Sequence, residues 1–292
     1  MMRGMYAAIA GLQAHQTMLD VTANNLANVD TVGYKAQRTT FVDELSQQLA
    51  GASGVTSING GTNPVQVGLG VMVGSIDSIM SQGAMQQTNN STDVAIQGEG
   101  FFRVGLGTPP TLPNNIQYTR SGDMTFNTQG YLTTQNGMYV IGRNAVAAGT
   151  APNITYTPGT NDTYINVPPG STGVAIGQDG SVTYVDQNSS NATYQQRVTA
   201  GYLSLATFPN VAGLQRDGGS LWSSDANTGA PSINTPGVKG LGATISGVLE
   251  QSNVDMATEF TNMITAERGY QANSRAITTA DQMLGTLVQM GQ

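Results

Sequence analysis

Residues 256–290 read MATEFTNMITAERGYQANSRAITTADQMLGTLVQM, and the spacing of apolar side chains in this stretch decides the fold. Met256, Met263, Tyr270, Ile277 and Leu284 recur every seven residues, and Ala266, Asn273, Ala280 and Leu287 fill the positions three residues further on. Alternation by three and four places a narrow stripe along one side of an α-helix, the pattern of a helix that pairs with another helix. Ser252, Asn253 and Asp255 stand just before it, where short polar side chains cap orphan backbone N–H groups. No proline interrupts the segment, which predicts a helix over 256–290 roughly 50 Å long. Gly269 and Gly285 lie inside it, each costing ~1 kcal/mol against alanine. Asn273 has two readings: a seam asparagine that fixes register, or a surface asparagine beside a slightly displaced stripe.

The opposite end carries a similar stripe. Met2, Met5, Ile9, Leu12, Gln16, Leu19, Ala23 and Leu26 alternate by three and four, with Gln16 the polar exception. Asn24, Asn25, Asn28 and then Gly33 favour termination of this helix. The two ends therefore read as one discontinuous helical domain, 1–30 with 250–292. They pair with each other or with neighbouring copies of the chain. Isolated helices of this kind are marginal in water, so the ends are expected to order on assembly.

The middle changes period. Residues 31–88 read as an extended linker region. Within it Thr39–Leu49 suits a short helix or extended chain, Ala50–Gly74 is rich in Gly, Ser, Thr and Asn, and Val71–Ile79 suits a strand. From 89 to 249 the pattern is β. Asn136-Gly137 and Asp179-Gly180 each sit between β-prone runs, the strongest hairpin signal in a sequence. Further strands are expected at Val94–Ile96, Phe101–Val104 and Tyr202–Phe208, while Gly218–Gly240 reads as loop. The fold class is α+β: long terminal helices pairing as a coiled-coil-like inner domain, and a central all-β domain of short strands, a sandwich or irregular barrel.

Composition narrows the function. Of 292 residues, 10% are charged, and the net charge is −7 with only 11 Lys and Arg. A nucleic-acid binder needs a basic stripe, so nucleic acid is not an expected partner. Low surface charge also leaves little repulsion between identical subunits. There is no cysteine and a single histidine, His15, so neither a thiolate metal site nor a histidine cluster is available, and no metal or cofactor is expected. No apolar run reaches the ~20 residues of a membrane span, and the apolar start, Met5–Leu12, is too short and interrupted for a cleaved signal.

Candidate chemistry is sparse. Glu99, Asp123, Asp162, Asp179, Asp186, Asp217 and Asp225 sit in turn-like contexts. A hydrolase acting on envelope polysaccharide would need two of them paired in a cleft, and a surface adhesin is the other rival class. Gly68-Leu69-Gly70 and Gly98-Glu99-Gly100 lack the spacing of phosphate loops. Asn89-Asn90-Ser91 and Asn153-Ile154-Thr155 match glycosylation sequons, as chance allows in so Asn- and Thr-rich a chain. The chain reads as a self-assembling structural protein, with no catalytic residues and no small-molecule substrate.

Several motifs resemble one family. Residues 23–35, ANNLANVDTVGYK, resemble the signature of bacterial flagellar rod and hook proteins, carried here by Asn24, Asn25, Asn28, Gly33 and Tyr34. Ser252–Met256 with Asn253 and Asp255, then Glu259-Phe260, then Arg268-Gly269-Tyr270-Gln271-Ala272-Asn273-Ser274, resemble its C-terminal end. Asp93–Phe102 and Tyr118–Gly122 resemble its β-domain motifs, so the resemblance spans essentially the whole chain. It implies an axial subunit of the bacterial flagellum, exported by the flagellar type III apparatus without a cleaved signal, with an inner layer of terminal helices around a central channel and the β domain outside. Implied partners are further copies of the chain and neighbouring axial proteins: rod, hook cap and hook–filament junction. Gly60–Gly70, Ser252–Phe260 and the chain length resemble short hook proteins, the torque-transmitting universal joint. Gln82–Ser91 and Gly213–Pro231 resemble the distal rod protein, the alternative.

The expected assembly interface is Met5, Ile9, Leu12, Leu19 and Leu26 on the first helix, with Met263, Tyr270, Asn273, Ile277, Leu284 and Leu287 on the second. Burying one such apolar side chain is worth ~1.5–3 kcal/mol. Leu19→Asp or Ile277→Asp is therefore expected to abolish polymerisation while the β domain stays folded. Electron microscopy of either variant checks this, and polymers of normal stability would refute the stripe as an interface.

Overall fold

A computed structural model describes residues 2–54, 60–107, 109, 115–148, 154–188 and 193–290. The chain forms two compact units. One consists of Val29–Lys35 with Met80–Asn253; the other holds both ends of the chain and Ala36–Ile79.

In the helical unit, α1 spans Met2–Ala27 and α2 spans Met256–Met290. α2 begins where the capping residues place it. Asp255 accepts from the Ala257 N–H through Oδ1 at 2.9 Å and from the Thr258 hydroxyl through Oδ2 at 3.2 Å. α1 ends at the asparagine cluster, where Asn28 donates through its carboxamide to the Asn24 carbonyl at 2.9 Å. The segment expected as a linker is ordered into paired strands over most of its described length. Gln37–Asp43 pairs antiparallel with Val71–Ser78, and Ser46–Ala50 with Val65–Gly68. Val71–Ser78 answers to the strand expected at Val71–Ile79. Polar composition masked the second pair, because all nine of its residues are exposed and no buried face imposes alternation. Residues 55–59 of the Ala50–Gly74 stretch lie outside the described residues, as does Asn153 of the second sequon.

The larger unit is antiparallel β. Its main sheet has 13 described strands. The hub is Tyr139–Ala148, which pairs with Phe101–Gly105, Leu132–Thr134, Thr155–Tyr164 and Arg197–Leu203. Both expected hairpin turns form: Gly137 and Gly180 adopt φ of 77° and 78°, which favour glycine. The stretch read as loop, Gly218–Gly240, also contains strands Leu221–Ser223 and Ser232–Asn234.

Strand Phe101–Gly105 is buried throughout because the sheet is covered on both sides. Successive side chains point to opposite faces. Phe102 and Val104 join a cluster with Val94, Ile96, Leu132 and Leu203, whereas Phe101 joins Tyr118, Phe208 and Trp222. In the second cluster the rings meet edge to face, Tyr118 on Phe208 at 4.7 Å and Phe101 on Trp222 at 5.6 Å. Such contacts add ~0.5–1.5 kcal/mol each beyond burial.

A buried ion cluster ties the ends of this unit together. Glu250, fully buried, accepts from Lys35 Nζ at 2.6 Å and from the Gly83 N–H at 3.0 Å through Oε1, and from Arg120 Nη1 at 3.3 Å through Oε2. Lys35 also donates to the Ser81 carbonyl at 2.8 Å, and Arg120 Nη2 to the Gly98 carbonyl at 2.7 Å. Burial pushes the Lys35 ammonium below its usual pKa, with the Glu250 hydrogen bond and charge opposing that shift. Gly33 adjoins the cluster: its N–H donates to the Glu250 carbonyl at 2.8 Å, and its φ is 67°. A Cβ there would sit 2.6 Å from the Ser121 nitrogen, so glycine is required.

Removing one partner from a buried ion set leaves the others desolvated, at a cost of about 3–5 kcal/mol. Glu250→Gln is expected to lower stability by about that amount. Adding Lys35→Met to it should cost less than the sum of the single changes, because the two positions are coupled. Urea denaturation followed by fluorescence of Trp222, the chain's single tryptophan, measures both. Additive effects would show that the pair is not coupled.

Candidate functional site

The candidate site is the helix pair. α1 and α2 run antiparallel in contact. Gly11 lies against Asn273, and four residues later His15 lies against Gly269; a Cβ on Gly11 would stand 2.7 Å from Asn273 Nδ2, and one on Gly269 2.5 Å from the His15 ring. Glycine at both points lets the helices approach closely. Further along, Asn25 hydrogen-bonds Glu259. Each step forward along α1 is matched by an equal step back along α2 at all three contacts, one continuous antiparallel register.

That register shifts the expected α1 stripe by one residue. Gly11, His15 and Asn25 each precede a stripe position, Leu12, Gln16 and Leu26. The buried α1 residues are small or polar for the most part: Ala8, Gly11, Ala14, Thr22 and Asn25, with Val21. Met5, Leu12, Leu19 and Leu26 are only half-buried, and Ile9 is 40% exposed. One residue is about a 100° rotation. A stripe drawn through the largest apolar side chains misses a contact made by the smallest. On α2 the expected stripe lies closer to the contact. Ala266 and Ala280 are buried, Met263, Asn273, Ile277 and Leu284 half-buried, while Tyr270 (36%) and Leu287 (48%) are exposed. Asn273 lies at the helix contact, against Gly11.

Several family-motif residues make contacts within their own unit. Asn25 bridges to the chain after the helix, donating to the Gln37 carbonyl at 2.7 Å and accepting from its N–H at 2.9 Å. Tyr34 lies under the Arg216 guanidinium at 4.5 Å. Asn253 donates to the Ser81 carbonyl and hydroxyl at 3.1 and 3.0 Å. Gln271 donates to Glu267 at 3.0 Å along α2, and Arg268 is exposed there.

The helix pair leaves apolar surface uncovered. Met256, Phe260 and Ile264 repeat every four residues along α2 and are each about half exposed, as is Met283; Val288 is more exposed still. The paired strands add Leu49, Val65 and Met72, and Leu45 lies in the connection between two of them. Scattered exposed leucines need no explanation, but rows of this kind mark interaction surfaces. No group of three or more His, Asp or Glu able to hold a metal occurs among the described residues, and no described helix is long and apolar enough to cross a membrane.

Two polar groups lie at the contact. The His15 ring lies 6.0 Å from Phe41, and its Nδ1 is buried without a partner among the described residues. Glu259 is buried, with Oε2 likewise unpartnered. Burial raises the Glu259 carboxyl above its ordinary 4.5, the Asp255 charge adds to the rise, and the Asn25 hydrogen bond opposes it. Above 4.5 the folded helix pair then binds more protons than the unfolded chain, so its stability falls as pH rises through the raised value. Glu259→Gln is expected to raise the helical unfolding midpoint at neutral pH and flatten this dependence. Circular dichroism across the pH range checks it; an equal slope in the variant would refute the assignment.

Comparison with known proteins places this geometry in a family. Residues 5–35 match the family described as flagella basal body rod protein, 95–184 the flagellar hook protein FlgE/F/G D1 domain, and 245–290 the flagellar basal body rod FlgEFG protein C-terminal. The chain is 40% identical over 291 residues to the flagellar basal-body rod protein FlgG of Bacillus subtilis, covering 99% of both chains. It is 35% identical to FlgG of Caulobacter vibrioides, again over 99% of both. Against the flagellar hook protein FlgE of Borreliella burgdorferi, identity is 28% over an alignment of 446 positions that takes in 99% of this chain and 100% of that one. With its two helical ends, its antiparallel β unit and this full-length similarity, the chain belongs to the flagellar basal-body rod and hook family of axial structural proteins.

Proposed function

We propose that the chain is a distal rod subunit of the flagellar basal body. The observation that carries this is collinearity: similarity to FlgG proteins runs end to end at matched length, 99% of each chain. The hook protein aligns only over a much longer span at lower identity. The rod reading is accordingly better supported than the hook reading favoured by the motifs at Gly60–Gly70 and Ser252–Phe260.

Assembly is the activity. A subunit whose contacts are heterologous and do not close on themselves builds a helical filament. In the polymer, the Met256, Phe260 and Ile264 row and the half-buried α1 side chains Met5, Leu12, Leu19 and Leu26 meet helices of neighbouring copies, winding a coiled-coil-like inner layer. The ribbon of Ser46–Ala50 and Val65–Gly68, exposed on both sides, gains cover from a neighbour; a two-stranded ribbon alone is marginal in water. The partners are further copies of the chain, the adjoining axial proteins, and the type III export apparatus that delivers the subunit.

Deletion of the gene followed by electron microscopy of isolated basal bodies tests the reading. A truncated rod is expected. A complete rod without a hook would instead identify a hook protein.

A further inference from the structure

At the rim of the β unit, where strand Phe101–Gly105 ends beside the start of strand Tyr139–Ala148, lies a recess of about 680 Å³. Its walls are Gly107, Pro109, Gln129, Tyr131, Tyr139 and Asn166. The volume falls in the range of small-ligand sites, ~300–1,000 Å³.

The site is built. Asn127 Oδ1 accepts from the N–H groups of Gln129 and Tyr131 at 3.0 and 2.9 Å, which fixes the turn that presents both side chains. Asn166 pairs with Tyr131 by a backbone bridge and donates from Nδ2 to the Gln129 carbonyl at 3.1 Å. The rings of Tyr131 and Tyr139 stand 5.7 Å apart and nearly perpendicular. Tyr164 packs against both, at 6.5 and 5.2 Å. Its hydroxyl is buried without a hydrogen-bond partner among the described residues.

Core filling accounts for Tyr164, which is 5% exposed, but not for Tyr131 and Tyr139, which stay partly open to solvent at the wall. The lining also selects a chemistry. None of the described lining residues is charged, so a phosphate or carboxylate ligand would find no counter-charge. A wholly apolar ligand would cover the Gln129 carboxamide without satisfying it. Aromatic surface and carboxamides together match a ring with apolar C–H faces and a hydroxylated edge. We propose that this recess binds a neutral saccharide unit. Among the described lining residues there is no carboxylate pair to cleave a glycosidic bond, so the site holds a glycan and does not hydrolyse it.

The test is saturation-transfer difference NMR on the full chain with cellotetraose and, separately, chitotetraose at about 5 mM, a concentration that detects millimolar binding. Transfer to ring protons of at least one sugar is expected. Tyr131→Ala should reduce it by at least about fivefold, since aromatic anchors dominate such contacts. Because Tyr131→Ala risks the fold, exposed Gln129→Leu is the second variant, expected to lose at least about threefold with an unchanged urea midpoint. No transfer to either sugar, or transfer that Gln129→Leu leaves unchanged, overturns the proposal.

Discussion

The carboxylate of Glu250 organises the β unit more than any other single group. It is buried, it is the shared partner of two buried cations, and those cations come from positions 35 and 120, far apart in the chain. An unpaired carboxylate could not persist there, because the cost of removing its charge from water is several kcal/mol. The chain must therefore bring Val29–Lys35 back beside residue 250 for this unit to close. The Gly33 N–H on the Glu250 carbonyl fastens the same two segments through the backbone.

Within the helix pair, small residues make the contact and large ones remain available. Gly11 and Gly269 allow approach so close that a Cβ on either would collide with the facing side chain. Leucine stripes at the contact would hold the helices further apart and use up the apolar surface. Instead Ile9 and Met5 on α1, and Phe260 and Ile264 on α2, keep much of theirs exposed. A subunit of a polymer must be soluble before assembly and cohesive afterwards, and partial burial of the apolar rows suits both states. Glu259 works in the opposite sense. A buried carboxylate with one oxygen unpaired among the described residues weakens the contact at neutral pH.

Much of this was legible in the chain. Seven-residue spacing located α2 to the residue, and its asparagine-rich counterpart located the end of α1. Asn136-Gly137 and Asp179-Gly180 located two hairpins. Less was legible where burial does not alternate: the exposed strands Ser46–Ala50 and Val65–Gly68 and the two short strands inside Gly218–Gly240 carry no periodic signal. Low hydrophobic contrast, in a chain only 39% hydrophobic, makes loop and edge strand look alike.

The sequence by itself determined the helices, the turn positions, the absence of thiol chemistry and the membership of the rod and hook family, because each follows from residues close together in the chain or from their kinds alone. Only the tertiary structure decided the one-residue rotation of the α1 contact, the Lys35–Glu250–Arg120 cluster and the tyrosine-walled recess. Each of these depends on side chains separated by tens to hundreds of residues, and a distance across the fold leaves no periodic trace along the chain.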